Sequence, residues 1–313
     1  MAESSQVKAK PSKTVNSGKI TTMLGIVALS ALTALSWPYV SSSSASPSLT
    51  LDSLISNLQT YLFPSTTTAA DDLNYQCDIS HSYITQILSL DPLVIYIHDF
   101  LSPTDITSLL TTASPKFKPS TVTRAGRTSP DPDRTSITAF LPSNDTAVAC
   151  VLDRARNFAG TILEGREVDE MGKPQLVRYG PGQKFNLHYD WYNLPQRLTV
   201  EDGSYRFWNR VGSFFAVLED ECEDGETWFP NVTTVTGPAS QGRDVVVEGE
   251  SRPLWRAHEK GGLAVRPVKG NALFWINLDK EGQGDRRVRH AGLPVTSGQK
   301  TAMNIWPRRY FYQ

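Results

Sequence analysis

Apolar positions along this chain follow three different rhythms. The first is continuous: ITTMLGIVALSALTALSW, residues 20–37, runs 18 residues without a charge. The second is helical. Leu51, Leu54, Ile55, Leu58, Tyr61 and Leu62 recur at three- and four-residue spacing until Pro64 stops the pattern. The third begins at LVIYIHDF, residues 93–100, and is short and strand-like. Behind it, Ser102, Pro103 and Asp105 supply an N-cap, a proline at the first helical position and an acid in the first turn, predicting a helix to about Ala113. Ala147, Val151, Ala155, Phe158 and Ile162 share one face and predict a second helix over 146–164. Strand signals dominate from there on: QLVRYG, KFNLHYDWY, GSFFAVLE, ETWFP, LAVRPV, NALFWINL, RRVRHAGLPV and TAMNIW, separated by Gly-containing turns. The pattern predicts a mainly β fold, a sandwich or barrel core with supporting helices. Segment 237–262 does not fit it. It is polar, charged and long for a connection, as lids, binding loops and merely mobile segments are.

Charge changes the picture at the N-terminus. Lys8, Lys10, Lys13 and Lys19 precede the apolar run, and no Lys or Arg follows until Lys116. That asymmetry predicts a cytosolic tail over 1–19 and a signal anchor over 20–40, with the rest translocated. A cleaved signal peptide is the alternative. A Ser/Thr-rich linker and stem helix would fill 41–71, the helix either free or packed on the globular domain of 72–313. Of three cysteines, Cys77, Cys150 and Cys222, one pair can bridge in an oxidising lumen, and the sequence does not choose it. Asn144 and Asn231 head glycosylation sequons. The chain's net charge is −1 and it carries no basic block in its body, which argues against nucleic acid as a partner.

Candidate chemistry centres on FNLHYDWY, residues 185–192. In a strand, His188 and Asp190 would share a face. A neutral imidazole beside a carboxylate is either a hydrogen-bonded strand pair or the start of a metal site. Nitrogen and oxygen donors suit a first-row ion such as Fe(II), and two histidines with one carboxylate leave positions open. His81, His98, His258 and His290 are the remaining histidines; the first three read as structural.

The motif set resembles the prolyl 4-hydroxylase family of Fe(II)- and 2-oxoglutarate-dependent oxygenases. RYGPGQKFNLHYDWY, GETWFPN, KGNALFW and HAGLPVTSGQKTAMNIW occur in family order, and weaker similarity includes RTSITAFL, residues 134–141. The resemblance implies a double-stranded β-helix (jelly-roll) core and a metal triad of His188, Asp190 and His290. It implies that Lys300, ten residues past His290, anchors 2-oxoglutarate, with Tyr179 and Thr227 as further contacts. Trp306 would close the site, and Arg210 would face the peptide substrate. Implied cofactors are Fe(II), 2-oxoglutarate, O2 and L-ascorbate. The implied reaction hydroxylates peptidyl proline at C4 with decarboxylation of 2-oxoglutarate to succinate. Together with the N-terminal topology, the expected location is the endoplasmic reticulum membrane, single-pass type II with a lumenal catalytic domain; cleavage would give a Golgi or secreted form. Phe185, where many members have tyrosine, and Arg308, where some have histidine, depart from the family. With the long 237–262 segment they leave open the same chemistry on another side chain or a small molecule. A non-catalytic jelly-roll module and a cupin-like zinc or manganese protein are the competing readings.

Overall fold

The computed structural model describes residues 75–124, 127–163, 170–199, 203–234, 244–247 and 250–311. The expected tail, anchor, linker and stem helix lie outside them. Among the described residues no helix is long and apolar enough to cross a membrane.

The fold is mostly β, with two helices on one side. The strands of its main sheets, with those that flank the site, are β1 (Ile84–Leu90), β2 (Leu93–His98), β3 (Lys118–Pro119), β4 (Ile137–Phe140) and β5 (Gln175–Tyr179). There follow β6 (Phe185–His188), β7 (Tyr205–Arg210), β8 (Gly212–Glu219), β9 (Thr227–Phe229) and β10 (Trp255–Ala257). The last are β11 (Leu263–Val265), β12 (Ala272–Ile276), β13 (His290–Gly292), β14 (Lys300–Ile305) and β15 (Arg308–Phe311). An eight-stranded sheet has the order β1-β2-β12-β8-β14-β5-β4-β3, and a five-stranded sheet the order β10-β11-β9-β13-β6. These are the two sheets of a jelly roll.

Alternation along the large sheet sorts its side chains into two cores. Val94, Tyr96, Leu273 and Trp275 point between the sheets and pack with Phe229, Trp255, Leu263 and Val265 of the smaller one. Ile97, Phe214, Phe274, Met303 and Ile305 point the other way, onto the helices. Helix α1 (Pro103–Ala113) carries the full capping box: Ser102 Oγ accepts the Asp105 N–H, and Asp105 accepts the Ser102 N–H. Helix α2 (Thr146–Ala159) is capped by Asp145, which accepts from the Ala147 and Val148 N–H groups. It ends earlier than its apolar face predicts, because Gly160 turns to φ 53° and a 3-10 turn follows.

Other differences from the sequence reading have local causes. The strand through FNLHYDWY stops at His188, so Asp190 lies beyond it rather than on its face. Arg286–Val288 is a 3-10 turn, which shortens the expected RRVRHAGLPV strand to β13 and a separate Val295–Gly298 strand. The strands β1, β4, β7 and β15 carried no assignment from the pattern. β1 is an edge strand with a bulge between Ile87 and Ser89 and with Ile84, Ile87 and Leu90 exposed, so its alternation is broken. The described part of 237–262 is not loop alone: Asp244–Val247 pairs with Glu250–Pro253, and β10 joins the smaller sheet with Trp255 fully buried.

Cys77 is bridged to Cys150 on α2, leaving Cys222 free. Beside that bridge, buried Asp105 accepts from the Tyr75 hydroxyl and from Arg154 Nη1 at 2.7 Å, and Arg154 also reaches the Phe100 carbonyl at 2.7 Å. Both charges are at least nine-tenths buried, so each depends on the other. Asp105→Ala leaves the guanidinium uncompensated and should cost about 3–5 kcal/mol of stability. Equilibrium urea unfolding reads that loss as a lowered midpoint.

Candidate active site

Register brings the two site histidines together. β13 pairs antiparallel with β6, and His290 lies opposite His188. Both rings are oriented by the same local device. His188 Nδ1 lies 2.8 Å from the Asn186 carbonyl, and His290 Nδ1 lies 3.0 Å from the Val288 carbonyl. A carbonyl only accepts, so Nδ1 carries a proton in each ring, and Nε2 is the nitrogen turned toward the cluster. The Nε2 atoms face Asp190: His188 lies 3.8 Å from Oδ1, and His290 lies 3.9 Å from Oδ2. These distances are too long for hydrogen bonds. All three donor atoms lie within 4.8 Å of one another around a common point.

Asp190 is held by its neighbours. Its Oδ2 accepts from Ser213 Oγ at 2.6 Å and from Trp306 Nε1 at 3.0 Å. Asn277 Nδ2 donates to the same Ser213 oxygen at 2.9 Å, which fixes the serine's proton toward the carboxylate. Arg210 donates to the Asp190 carbonyl at 3.1 Å and lies over the Trp306 ring, 3.8 Å from its centroid. Burial opposes the Asp190 charge, but His290, His188, Arg210 and Ser213 overcome it and hold the carboxyl at about 2. Burial and the neighbouring His290 push His188 down to about 3. At neutral pH the cluster therefore pairs an ionised carboxylate with an unprotonated His188, the forms that bind a metal.

The three donors open into a cavity of about 1040 Å³. Tyr179, Thr227, Arg210 and Trp306 line it with them. Lys300 does not line it. It lies opposite Tyr179 in the β14–β5 register, 1% exposed, with its ammonium behind the Tyr179 and Phe215 rings. Its one described hydrogen bond goes to the Gly225 carbonyl at 2.6 Å. Burial drives its pKa down to about 8, against the smaller opposing influence of Cys222 and Glu226. Burial likewise pushes the Tyr179 hydroxyl up to about 12.

The sequence pattern of the 2OG-Fe(II) oxygenase superfamily matches residues 174–308, which contain every one of these site residues. The chain is 28% identical to "Prolyl 4-hydroxylase 1" of Arabidopsis thaliana over 72% of this chain and 71% of the relative. It is 27% identical to "Prolyl 4-hydroxylase subunit alpha-2" of Gallus gallus over 69% of this chain, but spans only 34% of that subunit. The chain is similar to the prolyl 4-hydroxylases within the 2OG-Fe(II) oxygenase superfamily. Among solved structures, a viral collagen prolyl hydroxylase from Paramecium Bursaria Chlorella virus-1 aligns at a TM-score of 0.46, with 21% identity over 69% of this chain and 95% of its own.

The cofactors of such an oxygenase fit the residues present. Two nitrogen donors and one carboxylate suit Fe(II) with positions left open for 2-oxoglutarate and O2. A buried ammonium with three donors and one described acceptor suits an incoming carboxylate. L-ascorbate completes the set that prolyl 4-hydroxylases use. The two departures from the family pattern sit differently. Phe185 stacks on the His188 ring at 3.6 Å, whereas Arg308 lies over Trp208, 3.9 Å from its centroid, outside the cavity lining. His81 binds the Asp99 carbonyl, His98 packs edge-on to Tyr96, and His258 packs on Trp228, away from the cluster.

Sequence reasoning missed Ser213 and Asn277. The visible signal was a polar residue at one end of each of two otherwise apolar strand runs, GSFFAVLE and NALFWINL. It also missed Arg134, which lines the cavity, donates to Gln175 Oε1 at 2.9 Å and has its Nε buried without a partner. Ser213→Ala removes one of the bonds that orient Asp190. Metal affinity, read by titrating Mn(II) into the metal-free protein, should fall about 10–100-fold while the melting temperature changes little.

Proposed function

We propose that this chain hydroxylates peptidyl proline at C4, converting 2-oxoglutarate to succinate and carbon dioxide. The observation that carries the reading is one cavity with His188, Asp190 and His290 at its wall and the buried Lys300 cation behind Tyr179. Bound Fe(II), with 2-oxoglutarate and O2, supplies the oxidising power, and one oxygen atom enters the substrate C–H bond.

The chain's own residues divide the remaining work. His188, Asp190 and His290 hold the metal, and Ser213 and Trp306 fix the carboxylate for it. Lys300 receives the distal carboxylate of the co-substrate, with the Tyr179 and Thr227 hydroxyls as neighbouring donors. Arg210 and the rings of Tyr192 and Trp306 form a charged aromatic wall where an extended peptide would lie. The cavity is larger than 2-oxoglutarate alone needs. Rings lining it exclude water from the reacting centre.

The proposed setting is the lumen of the endoplasmic reticulum, with the chain anchored through residues 20–40 as a type II membrane protein. The Cys77–Cys150 bridge supports an oxidising compartment, and Asn144 and Asn231 are both exposed for glycosylation. In this division of the chain, 1–19 is the cytosolic tail, 41–71 the linker and stem, and 72–313 the catalytic domain.

The decisive experiment incubates the purified protein with Fe(II), 2-oxoglutarate, ascorbate and a panel of proline-rich peptides, and locates added oxygen by mass spectrometry. Oxygen on proline is the expected result. Succinate formation without peptide oxidation would keep the oxygenase and reject proline as its substrate. His290→Ala should abolish turnover, and retained turnover would remove His290 from the ligand set.

Lys300 gives a pH dependence with a definite sign. Its ammonium is charged below about 8 and loses its proton above. Affinity for 2-oxoglutarate should therefore weaken as pH rises through that value. Pyruvate, which lacks the distal carboxylate, should show no such fall in the same calorimetric titration. Lys300→Ala should raise the 2-oxoglutarate requirement and flatten the pH effect.

A further inference from the structure

The residue that holds Lys300 and the proposed co-substrate contact Thr227 lie two apart on one segment. The Gly225 carbonyl holds the Lys300 ammonium, and the Thr227 side chain lines the cavity. Between them, Glu226 is 6% exposed. A carboxylate buried to that degree needs a cation. It has one in Arg256, whose Nε donates to Oε1 at 2.9 Å and whose Nη2 donates to Oε2 at 2.5 Å. The pair is a two-point fork, the geometry that suits arginine and that lysine does not reproduce. Arg256 belongs to β10, within the 237–262 segment to which the sequence assigned no role.

Glu226 also bears on Lys300. It is one of the two groups, with Cys222, that favour the charged form of that buried ammonium. Two anions thus bear on one cation: Glu226, the residue after the Gly225 carbonyl that holds the ammonium, and the distal carboxylate of the co-substrate when it binds. The ammonium now has Gly225 as its described acceptor, and Glu226 is occupied by Arg256. Without Arg256, an unpaired buried carboxylate would turn to Lys300 for compensation. The donors needed by the co-substrate would then be engaged and its charge neutralised.

We propose that Arg256 is a positioning residue for the co-substrate: by clamping Glu226 in a two-point ion pair, it keeps that carboxylate off Lys300 and leaves the ammonium for 2-oxoglutarate. This rests on the reading of Lys300 as the co-substrate anchor. It gives the 237–262 segment a role in co-substrate affinity through its β10 end.

The test is calorimetric binding of 2-oxoglutarate and, separately, of pyruvate to the full chain loaded with Mn(II) in place of Fe(II), with melting temperatures recorded alongside. Arg256→Gln should weaken 2-oxoglutarate binding about tenfold and leave pyruvate within twofold of the unsubstituted protein. Arg256→Lys, which keeps the charge but loses the fork, should fall between. The double variant Arg256→Gln with Glu226→Gln removes the competing anion and should recover 2-oxoglutarate affinity to within about threefold. Unchanged 2-oxoglutarate affinity in a folded Arg256→Gln protein overturns the inference. So does an equal loss for pyruvate, or a double variant that stays weak, since either would mark Arg256 as holding the strand rather than freeing Lys300. If Arg256→Gln does not fold, Arg256→Lys against Glu226→Gln makes the same comparison, and equal affinities in that pair reject the proposal. Absence of 2-oxoglutarate binding in the unsubstituted protein would remove the anchor reading itself, an outcome separate from normal binding that the variants fail to move.

Discussion

The antiparallel register between β6 and β13 is the constraint on which the site rests. It sets His188 opposite His290, and each ring is then locked by a carbonyl two residues back in its own chain segment. A slip of one residue would carry a histidine to the other face of the sheet. The rest of the smaller sheet serves that register. β9 pairs with β13 on one side and β11 on the other, and Phe229 and Trp275 pack on the His290 ring. Core packing and ligand orientation are in this respect the same set of contacts.

Charge burial is the second organising theme. Asp190 is stabilised by imidazoles, a serine, an indole and an arginine, Glu226 by Arg256, and Asp105 by Arg154. Lys300 differs: it is buried as deeply as any of these, yet its described partner is one neutral carbonyl. Desolvation without an ion-pair partner explains why its proton is held weakly. The polar interior therefore contains compensated charges that hold the frame and one undercompensated charge, Lys300, set behind the rings of Tyr179 and Phe215.

The two cores divide stability from function along the same sheet. Side chains facing the helices build a continuous apolar layer, reinforced at its edge by the Cys77–Cys150 bridge and the Tyr75–Asp105–Arg154 network. Side chains facing the smaller sheet are mixed. Val177 and Ala302 are apolar, whereas Tyr179 and Lys300 provide polar groups within the same layer, opposite Thr227 of the smaller sheet. Such a layer tolerates polar atoms only where a ligand or a partner completes them.

Much of the site was legible in the sequence because its signals are short and local. H-x-D and the capping box at Ser102 are spacings within one segment, while His290 and the lysine ten residues beyond it were legible through the resemblance of their motif to a family. Most strand and helix types of the core followed from apolar pattern, caps and turn residues. What the sequence could not determine depends on residues far apart in the chain. Ser213 and Trp306 meet Asp190 across separations of 23 and 116 residues, and Arg256 meets Glu226 across 30. The choice of Cys150 over Cys222 as the partner of Cys77 is likewise a matter of which segment packs on α2. Even His188 and Asp190, two apart, meet because the chain leaves the strand after His188, not because they share its face. Sequence period dictates which way a side chain points from its own backbone; only sheet order and register dictate what stands opposite.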